Sequence, residues 1–232
     1  MRLMMHVTLF AVLCAATGAH AAPVSFPDVN LETAIRSAIG KPVGAIQDTE
    51  LLAITSLPAG GVQIADLTGI ELCANLEELN LSWNLISDLS RLGGLTALTT
   101  LDLSGNPVTD AAALSTLTKL QILHLPYCGL SALPDFSALG GLSTLIVREN
   151  NITDITGLTG VTSLTILDLE WNELDFIDPL AGMVNLTQLL LGYVAVEDLV
   201  GLGRLSGARP ALQLMARLFP RQQAHLYWAD RF

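Results

Sequence analysis

Residues 76–84 have the sequence Leu76-Glu77-Glu78-Leu79-Asn80-Leu81-Ser82-Trp83-Asn84, with leucine at the first, fourth and sixth positions and asparagine at the ninth. The same Leu-x-x-Leu-x-Leu-x-x-Asn motif starts again at Leu98, Leu142 and Leu164. Degenerate copies start at Leu120 and Leu186, and a weaker one starts at Ile54. All seven starts are spaced 22 residues apart. A fixed period of this length predicts a repeat architecture in which each copy forms one coil and stacks on its neighbours.

The apolar columns of the motif predict a continuous core. The fourth position is leucine in all seven copies: Leu57, Leu79, Leu101, Leu123, Leu145, Leu167 and Leu189. One coil cannot bury its apolar side alone, but stacked coils can, with each Leu-x-Leu segment forming a short strand. Neighbouring strands should lie about 4.8 Å apart in a parallel sheet. The return leg of a 22-residue coil is too short for a long helix, so 3₁₀ or extended segments are expected there. The sequence therefore predicts an α/β solenoid.

The ninth position forms an asparagine column that one cysteine interrupts: Val62, Asn84, Asn106, Cys128, Asn150, Asn172 and Val194. A buried asparagine there can satisfy backbone groups of its own coil and of its neighbour, and Cys128 is predicted to substitute structurally in this ladder. Cys73 falls in a different, apolar column more than two coils away. Because a disulfide requires Cα atoms within about 7 Å of each other, we expect two buried free thiols.

A second polar column contains five aspartates: Asp66, Asp88, Asp110, Asp154 and Asp198. Each follows the apolar eleventh position by two residues, at a predicted turn where a carboxylate accepts backbone N–H bonds. A line of carboxylates could instead bind cations, but the chain has no Gly-Gly-x-Gly-x-Asp calcium repeat. We therefore predict a structural role for this column.

The N-terminus has the features of an export signal covering residues 1–21. Arg2 is followed by an apolar stretch over residues 7–16 and by the cleavage motif Ala19-His20-Ala21. A buried N-terminal helix is the alternative, and lipidation of Cys14 is disfavoured because Leu13 stands where a small residue is usual. The segment is too short to span a membrane, and no apolar run of 18 residues follows it. We predict a secreted, periplasmic or cell-surface protein with no transmembrane segment after cleavage.

Residues 22–53 are predicted to form a helical cap over the open end of the core. The apolar face of its first helix consists of Leu31, Ile35 and Ala38, and Gly40 is a plausible stop. A second short helix is expected near residues 48–53, with Asp48 as its N-cap.

The other end of the chain departs from the period. We assign the seven repeats to residues 54–207 and an irregular cap or tail to residues 208–232. Residues 22–203 carry 21 acidic and 5 basic residues, a net charge of −16, whereas residues 204–232 carry a net charge of +4. Two explanations stay open: a cap helix around residues 210–219 with a loose basic tail, or the end of a truncated or frameshifted gene.

Composition narrows the functional classes. The chain is 51% hydrophobic and 14% charged, which is typical of a folded domain and not of a disordered one. Its formal net charge of −11 disfavours nucleic acid, whose phosphates attract Lys and Arg. The sequence has no His-Glu-x-x-His, Gly-x-Ser-x-Gly, phosphate-binding glycine loop or paired Cys-x-x-Cys motif. We predict neither an enzymatic activity nor a cofactor or metal.

The runs Asn84-Leu85-Ile86-Ser87-Asp88-Leu89 and Asn150-Asn151-Ile152-Thr153-Asp154-Ile155 resemble the 22-residue leucine-rich repeats of bacterial internalins and related secreted proteins. The resemblance extends over roughly residues 24–203. It implies a right-handed superhelix with a parallel β-sheet on the concave face and short segments on the convex face. It also implies recognition of protein or carbohydrate at a surface, with no catalytic residues to carry over.

In leucine-rich repeats the third, fifth, seventh and eighth motif positions point out of the concave sheet. Here the eighth position contains four aromatic residues, and regularly spaced exposed aromatics are typical of interface cores. The predicted partner-binding residues are Trp83, Asp102, His124, Tyr127, Arg148, Asp168, Glu170, Trp171 and Tyr193. We predict that a monomer binds a protein partner on this face, and the acidic residues favour a basic or polar one. Binding of carbohydrate, and a structural or self-associating module without a discrete ligand, are the alternatives.

Overall fold

The computed structural model describes residues 21–191, and its main element is a seven-stranded parallel sheet. Two short antiparallel strands, β1 (Pro23–Val24) and β2 (Ile46–Gln47), and two helices, α1 (Val29–Ala38) and α2 (Asp48–Leu51), precede this sheet. Its strands are β3 (Ser56–Pro58), β4 (Glu78–Asn80), β5 (Thr100–Asp102), β6 (Ile122–His124), β7 (Thr144–Ile146), β8 (Ile166–Asp168) and β9 (Gln188–Leu190).

The register of the sheet repeats the period of the sequence. Leu57 of β3 pairs with Leu79 of β4, and the same pairing of central leucines continues to Leu189 of β9. Each of these leucines is at most 3% exposed, so the fourth motif position lies in the core. Because side chains alternate along a strand, the first and third residues of every strand point away from that core. The predicted solenoid and its parallel sheet are confirmed.

Five return legs contain short 3₁₀ helices: Ile70–Leu72, Ser90–Leu92, Ala112–Thr116, Thr156–Leu158 and Asp178–Gly182. The return leg of the fourth repeat is extended instead, and Ala132 forms a parallel bridge with Asp154 of the next repeat. Ala132 and Phe176 both interrupt the aspartate column, but the leg that follows Phe176 keeps its 3₁₀ helix, so loss of the carboxylate alone does not produce the extended leg. The fourth and fifth repeats also approach closely, since a Cβ on Gly157 would lie 2.2 Å from the carbonyl oxygen of Pro134.

The aspartate column stabilises the turns, as predicted. Four of its carboxylates accept the N–H two residues ahead, at 2.7–2.8 Å: Asp66, Asp88, Asp110 and Asp154. The backbone and side-chain hydrogen bonds from Ser90 lower the pKa of Asp88. Within residues 21–191 no three His, Cys, Asp or Glu side chains are grouped as a metal site requires. The fifth aspartate of the column, Asp198, lies outside the described residues.

The asparagine ladder joins neighbouring coils. Asn150 Oδ1 accepts the N–H groups of residues 128–130 at 2.8–3.1 Å, and its Nδ2 donates to the carbonyls of Leu125 and Val147 at 2.9 and 2.8 Å. Cys128 takes its predicted place in the ladder, with Sγ 3.4 Å from the carbonyl oxygen of Leu103. These bonds satisfy backbone groups that would otherwise be buried without partners.

Cys73 and Cys128 are both free and buried, which confirms the prediction of two unpaired thiols. Burial raises the pKa of Cys73 to about 12 and that of Cys128 to about 11. Because the thiolate is the reactive form, we expect neither sulfur to act as a nucleophile in the folded chain.

Asp28 joins the N-terminal helix to the first coil. Its Oδ1 accepts the N–H groups of Asn30 and Leu31 at 2.8 and 3.1 Å, which caps α1. Its Oδ2 accepts the N–H groups of Ala65 and Asp66 at 2.7 and 3.1 Å. Partial burial opposes ionisation of this carboxylate, but the four backbone donors together lower its pKa. The helical cap is therefore docked on the repeats by charge-assisted hydrogen bonds.

The cap differs from the prediction in two details. Leu31 and Ile35 are fully buried, but Ala38 is exposed, and Ile39 packs against the core instead. Ile39 follows Ile35 by four residues and so lies over the same helical face. Asp48 is the first residue of α2 and not its N-cap, which is Gln47.

None of the helices in residues 21–191 is long and apolar enough to cross a membrane. The predicted signal peptide and the predicted C-terminal cap or tail fall almost wholly on residues that the structure does not describe.

Candidate binding surface

The concave face of the sheet changes character along the solenoid. The outward residues of β3–β5 are small or polar: Ser56, Pro58, Glu78, Asn80, Thr100 and Asp102. On β6–β9, half of the outward residues are large and aliphatic, and all four are partly exposed: Ile122, Ile146, Ile166 and Leu190. The polar half contains a shallow, open concavity of about 280 Å³ that is lined by Glu78, Asn80, Asp102 and His124 among others. The face therefore offers polar and apolar chemistry side by side.

The eighth motif position, which follows the strands, has left-handed backbone in six consecutive repeats. The φ angles there are +70° at Gly61, +56° at Trp83, +69° at Gly105, +57° at Tyr127, +56° at Glu149 and +58° at Trp171. A residue with a Cβ costs about 1–2 kcal/mol in this conformation, whereas glycine adopts it freely. Three repeats thus carry an aromatic residue at a position where glycine would be more stable.

These aromatics form an exposed ridge along the sheet, and we refer to Trp83, Tyr127 and Trp171 as the aromatic ridge. Their exposed fractions are 62%, 45% and 51%. The indole of Trp83 lies on Gly105, because a Cβ at that glycine would be 2.5 Å from indole Cε3. The ring of Trp83 also contacts that of Tyr127, with centroids 5.8 Å apart and planes tilted by 35°. Gly105 lies between Trp83 and Tyr127 at the eighth motif position. Because it has no side chain, the rings of the second and fourth repeats can contact each other.

Polar side chains order the loop that leads to the ridge. Asp102 Oδ1 accepts the N–H of Ser104 at 2.9 Å and also bonds the Ser104 hydroxyl. Asn80 Oδ1 makes the same pair of bonds to Ser82, at 2.9 Å to the N–H and 2.7 Å to the hydroxyl. The second oxygen of Asp102 is 4.0 Å from His124 Nδ1 on the next strand. In both repeats the side chain at the fifth motif position thus holds the serine at the seventh position by hydrogen bonds. That serine directly precedes the eighth position, which carries the aromatic ridge.

Comparisons with known proteins identify the family. A family model described as leucine-rich repeats in two copies matches residues 74–116. The crystal structure of internalin C2 from Listeria monocytogenes is 34% identical, covers 71% of this chain and 74% of its own, and superposes with a TM-score of 0.69. The chain belongs to the internalin family of leucine-rich-repeat proteins.

Two further structures resemble this chain over a smaller share of their own length. Internalin F from the same organism is 32% identical and covers 75% of this chain and 59% of its own, with a TM-score of 0.59. A leucine-rich-repeat protein from Leptospira interrogans is 25% identical and covers 59% of this chain and 36% of its own, with a TM-score of 0.52. No curated protein matches the sequence.

In this internalin-family chain, most of the predicted contact residues lie on one face. The ridge and Arg148 are exposed, and Asp102, His124 and Glu170 are partly exposed. Tyr193 lies outside the described residues.

Asp168 is the exception to this arrangement. It is only 3% exposed and has Ile146 and Leu190 as its neighbours in the register. Its Oδ1 accepts the N–H of Glu170 at 3.0 Å. The carboxylate of Asp168 is therefore turned into its own loop, and its role as a contact residue stays a prediction.

Two features of the face were absent from the predicted set. Ile122 and Ile166 occupy the third motif position and extend the apolar half of the face, and their place in an outward column was the available signal. The left-handed backbone of the ridge was also missed, although Gly61 and Gly105 in the same column pointed to it.

Proposed function

We propose that this chain is a secreted or surface-associated scaffold that binds a protein partner on its concave face and catalyses no reaction. The aromatic ridge is the observation that supports the proposal most strongly. Its three side chains are 62%, 45% and 51% exposed. They occupy the eighth motif position, where the backbone is left-handed and where the first and third repeats have glycine. Glutamate stands on the same left-handed backbone at Glu149, so the support comes from the exposure of three large aromatic side chains in one column and not from the absence of glycine alone.

The surroundings of the ridge resemble those of a protein interface. Trp and Tyr are the residues that most often dominate binding energy, and they do so when neighbouring contacts exclude water from them. Here the partly exposed aliphatic residues of β6–β9 supply an apolar area, and Asp102, His124 and Glu170 supply a polar rim. The backbone N–H groups of Trp83 and Tyr127 donate to carbonyls of the next repeat, so little backbone conformational entropy is lost on binding. Export is supported by the features of residues 1–21.

Capture from a surface extract tests the proposal. The bait is residues 22–232, compared with the variant Trp83→Gly/Tyr127→Gly/Trp171→Gly. Glycine already occupies the same position at Gly61 and Gly105, so this variant keeps the backbone of the ridge intact.

A matched control removes apolar side chains elsewhere, at Val43 and Leu72, which are 77% and 38% exposed. The proposal predicts a partner that the wild type and the Val43→Ala/Leu72→Ala variant capture and the triple glycine variant does not. Equal capture by all three would move the binding site off the concave face. Ridge-dependent self-association in sedimentation experiments, with no partner captured, would favour the self-associating alternative.

A further inference from the structure

We infer that Trp83 and Tyr127, together with the carboxylates of Glu78 and Asp102 on strands β4 and β5 of the same face, bind a cationic stretch of the protein partner, with arginine preferred over lysine. The inference rests on the proposed function and deepens it, because it names the chemistry of one anchor of the partner. Two independent features of the face support it, an aromatic surface held in place and two carboxylates that form no ion pair with Lys or Arg within residues 21–191.

The aromatic surface is held in position before any partner arrives. Gly105 supports one side of the Trp83 indole, and Tyr127 packs against it with ring centroids 5.8 Å apart. The backbone N–H of Trp83 donates to the carbonyl of Ser104 at 2.6 Å, and this bond holds the backbone from which the indole projects. The indole is nevertheless 62% exposed. An exposed tryptophan face is the best aromatic partner for a guanidinium or ammonium group.

The carboxylates lie on the strands next to this surface. Glu78 and Asp102 point outward from β4 and β5, and Asp102 precedes by three residues the glycine on which the indole rests. In the described part of the chain neither is paired with Lys or Arg. Glu78 has one hydrogen bond, a 3.4 Å contact with the Ser56 hydroxyl, and the nearest basic group to Asp102 is His124 at 4.0 Å.

The ion pairs that Lys and Arg form within the described residues all lie off this face. Among the described residues, three of the five Lys and Arg side chains form ion pairs, all off the concave sheet: Arg36–Glu32, Lys41–Glu50 and Arg91–Glu71. Within residues 21–191 no Lys or Arg forms an ion pair with Glu78 or Asp102, and the exposed Arg148 on the same face pairs with neither of them.

The requirement for a cation follows from desolvation. A partner that covers the ridge removes water from Glu78 and Asp102, and an uncompensated buried charge is strongly unfavourable. A purely apolar partner would suit the isoleucines of β6 to β8 but would leave these two carboxylates unpaired. The partner must both cover the aromatic surface and compensate the carboxylates. Arginine can do both, because its planar guanidinium stacks on an aromatic face and donates hydrogen bonds to a carboxylate.

The test uses a defined probe, the acetylated tri-arginine amide, with the tri-citrulline amide as its uncharged counterpart of similar shape. Binding to residues 22–232 is followed by the NMR signal of the Trp83 indole N–H, assigned through the Trp83→Gly variant. The variant Glu78→Gln/Asp102→Asn removes the charges and keeps the Ser104 bonds, since asparagine still has Oδ1 as an acceptor. Glu173→Gln, an exposed carboxylate away from the polar half, is the matched control.

Tri-arginine is expected to shift the Trp83 signal and tri-citrulline is not. The double variant should weaken tri-arginine binding about two- to fivefold at 20 mM salt, with a smaller difference at 200 mM salt. Trp83→Gly, followed by the signals of neighbouring backbone amides, should weaken it by a similar factor, and Glu173→Gln should have no effect. Equal shifts from both peptides, or tri-arginine affinity unchanged in the double variant, would overturn the inference. If the triple glycine variant lost the protein partner while wild type ignored tri-arginine, the proposed function would stand and only the cation site would fall.

Discussion

Replacement of Gly105 by alanine should displace Trp83 and lower the free energy of unfolding, and Gly129→Ala provides the matched control. Both glycines have left-handed backbone, with φ of +69° and +85°. A Cβ at Gly105 would lie 2.5 Å and 2.7 Å from two atoms of the Trp83 indole, whereas a Cβ at Gly129 would meet nothing within 4 Å. The two variants therefore share the backbone strain and differ in the aromatic contact.

The expected magnitudes follow from these two contributions. The left-handed conformation costs alanine about 1–2 kcal/mol, so Gly129→Ala should destabilise the chain by that amount. Gly105→Ala should cost a further 0.5 to 1.5 kcal/mol, roughly the strength of an aromatic pair, because Trp83 must leave Tyr127. The indole is exposed and can move toward solvent, so no larger overpacking penalty is expected.

Equilibrium unfolding in urea measures both values, and the Trp83 indole signal in NMR spectra reports the displacement. Gly105→Ala should also weaken partner capture, whereas Gly129→Ala should not. Equal destabilisation by the two substitutions, with an unmoved Trp83 signal in Gly105→Ala, would refute the packing of the ridge as described.

Three further predictions concern the solenoid. Gly157→Ala should destabilise it by about 3 kcal/mol in urea unfolding, since the added Cβ would lie 2.2 and 2.4 Å from two backbone carbonyl oxygens, whereas Gly140→Ala meets nothing within 4 Å and should be close to neutral. Asn150→Ala should cost about 3 kcal/mol or more, because it leaves three N–H groups of the neighbouring coil without their acceptor. Cys73 and Cys128 should resist Ellman's reagent at pH 8 in the folded residues 22–232 and both react in denaturant, since burial raises their pKa values to about 12 and about 11.

For each of these three predictions, one experimental result would contradict it. Similar stability of the two glycine variants would mean that the fourth and fifth repeats are not in close contact at Gly157. A loss below about 1 kcal/mol for Asn150→Ala would show that the ladder is dispensable. Rapid reaction of either thiol in the folded protein would contradict its burial.

The sheet could be predicted from the sequence because the leucine pattern that produces it is periodic. The leucines from Leu57 to Leu189 recur every 22 residues, and a strand register with the same offset is the arrangement that buries them all. The turn aspartates and the asparagine ladder were predictable for the same reason, since each column performs one backbone task in the coils that carry the residue.

Departures from the period were harder to predict. Ala132 and Phe176 both replace an aspartate of the column, but the return leg after Ala132 is extended whereas the leg after Phe176 is 3₁₀. The periodic pattern shows which residue is replaced but not which conformation follows from the replacement. The burial of Asp168 is a similar case, because it depends on the side chains of neighbouring strands and on its own bond to Glu170.

The candidate site was predicted in outline. The outward columns identified the ridge, because alternation along a strand decides which positions are exposed. The pairing of Trp83 with Tyr127 was not evident, since it depends on Gly105 lying between them in a different repeat. Contacts across repeats require the backbone conformation as well as the period.

Site-specific crosslinking to the captured protein tests the central claim, partner binding on the concave face, most directly. A benzophenone maleimide is attached to residues 22–232 at Arg148→Cys, an exposed position whose carbonyl accepts the N–H of Tyr127, or at Leu72→Cys in the 3₁₀ helix Ile70–Leu72 on the convex side. The two native thiols are buried and should not compete for the label. We predict a crosslink to the partner from position 148 and none from position 72. A crosslink from position 72 with none from position 148 would contradict binding at the ridge.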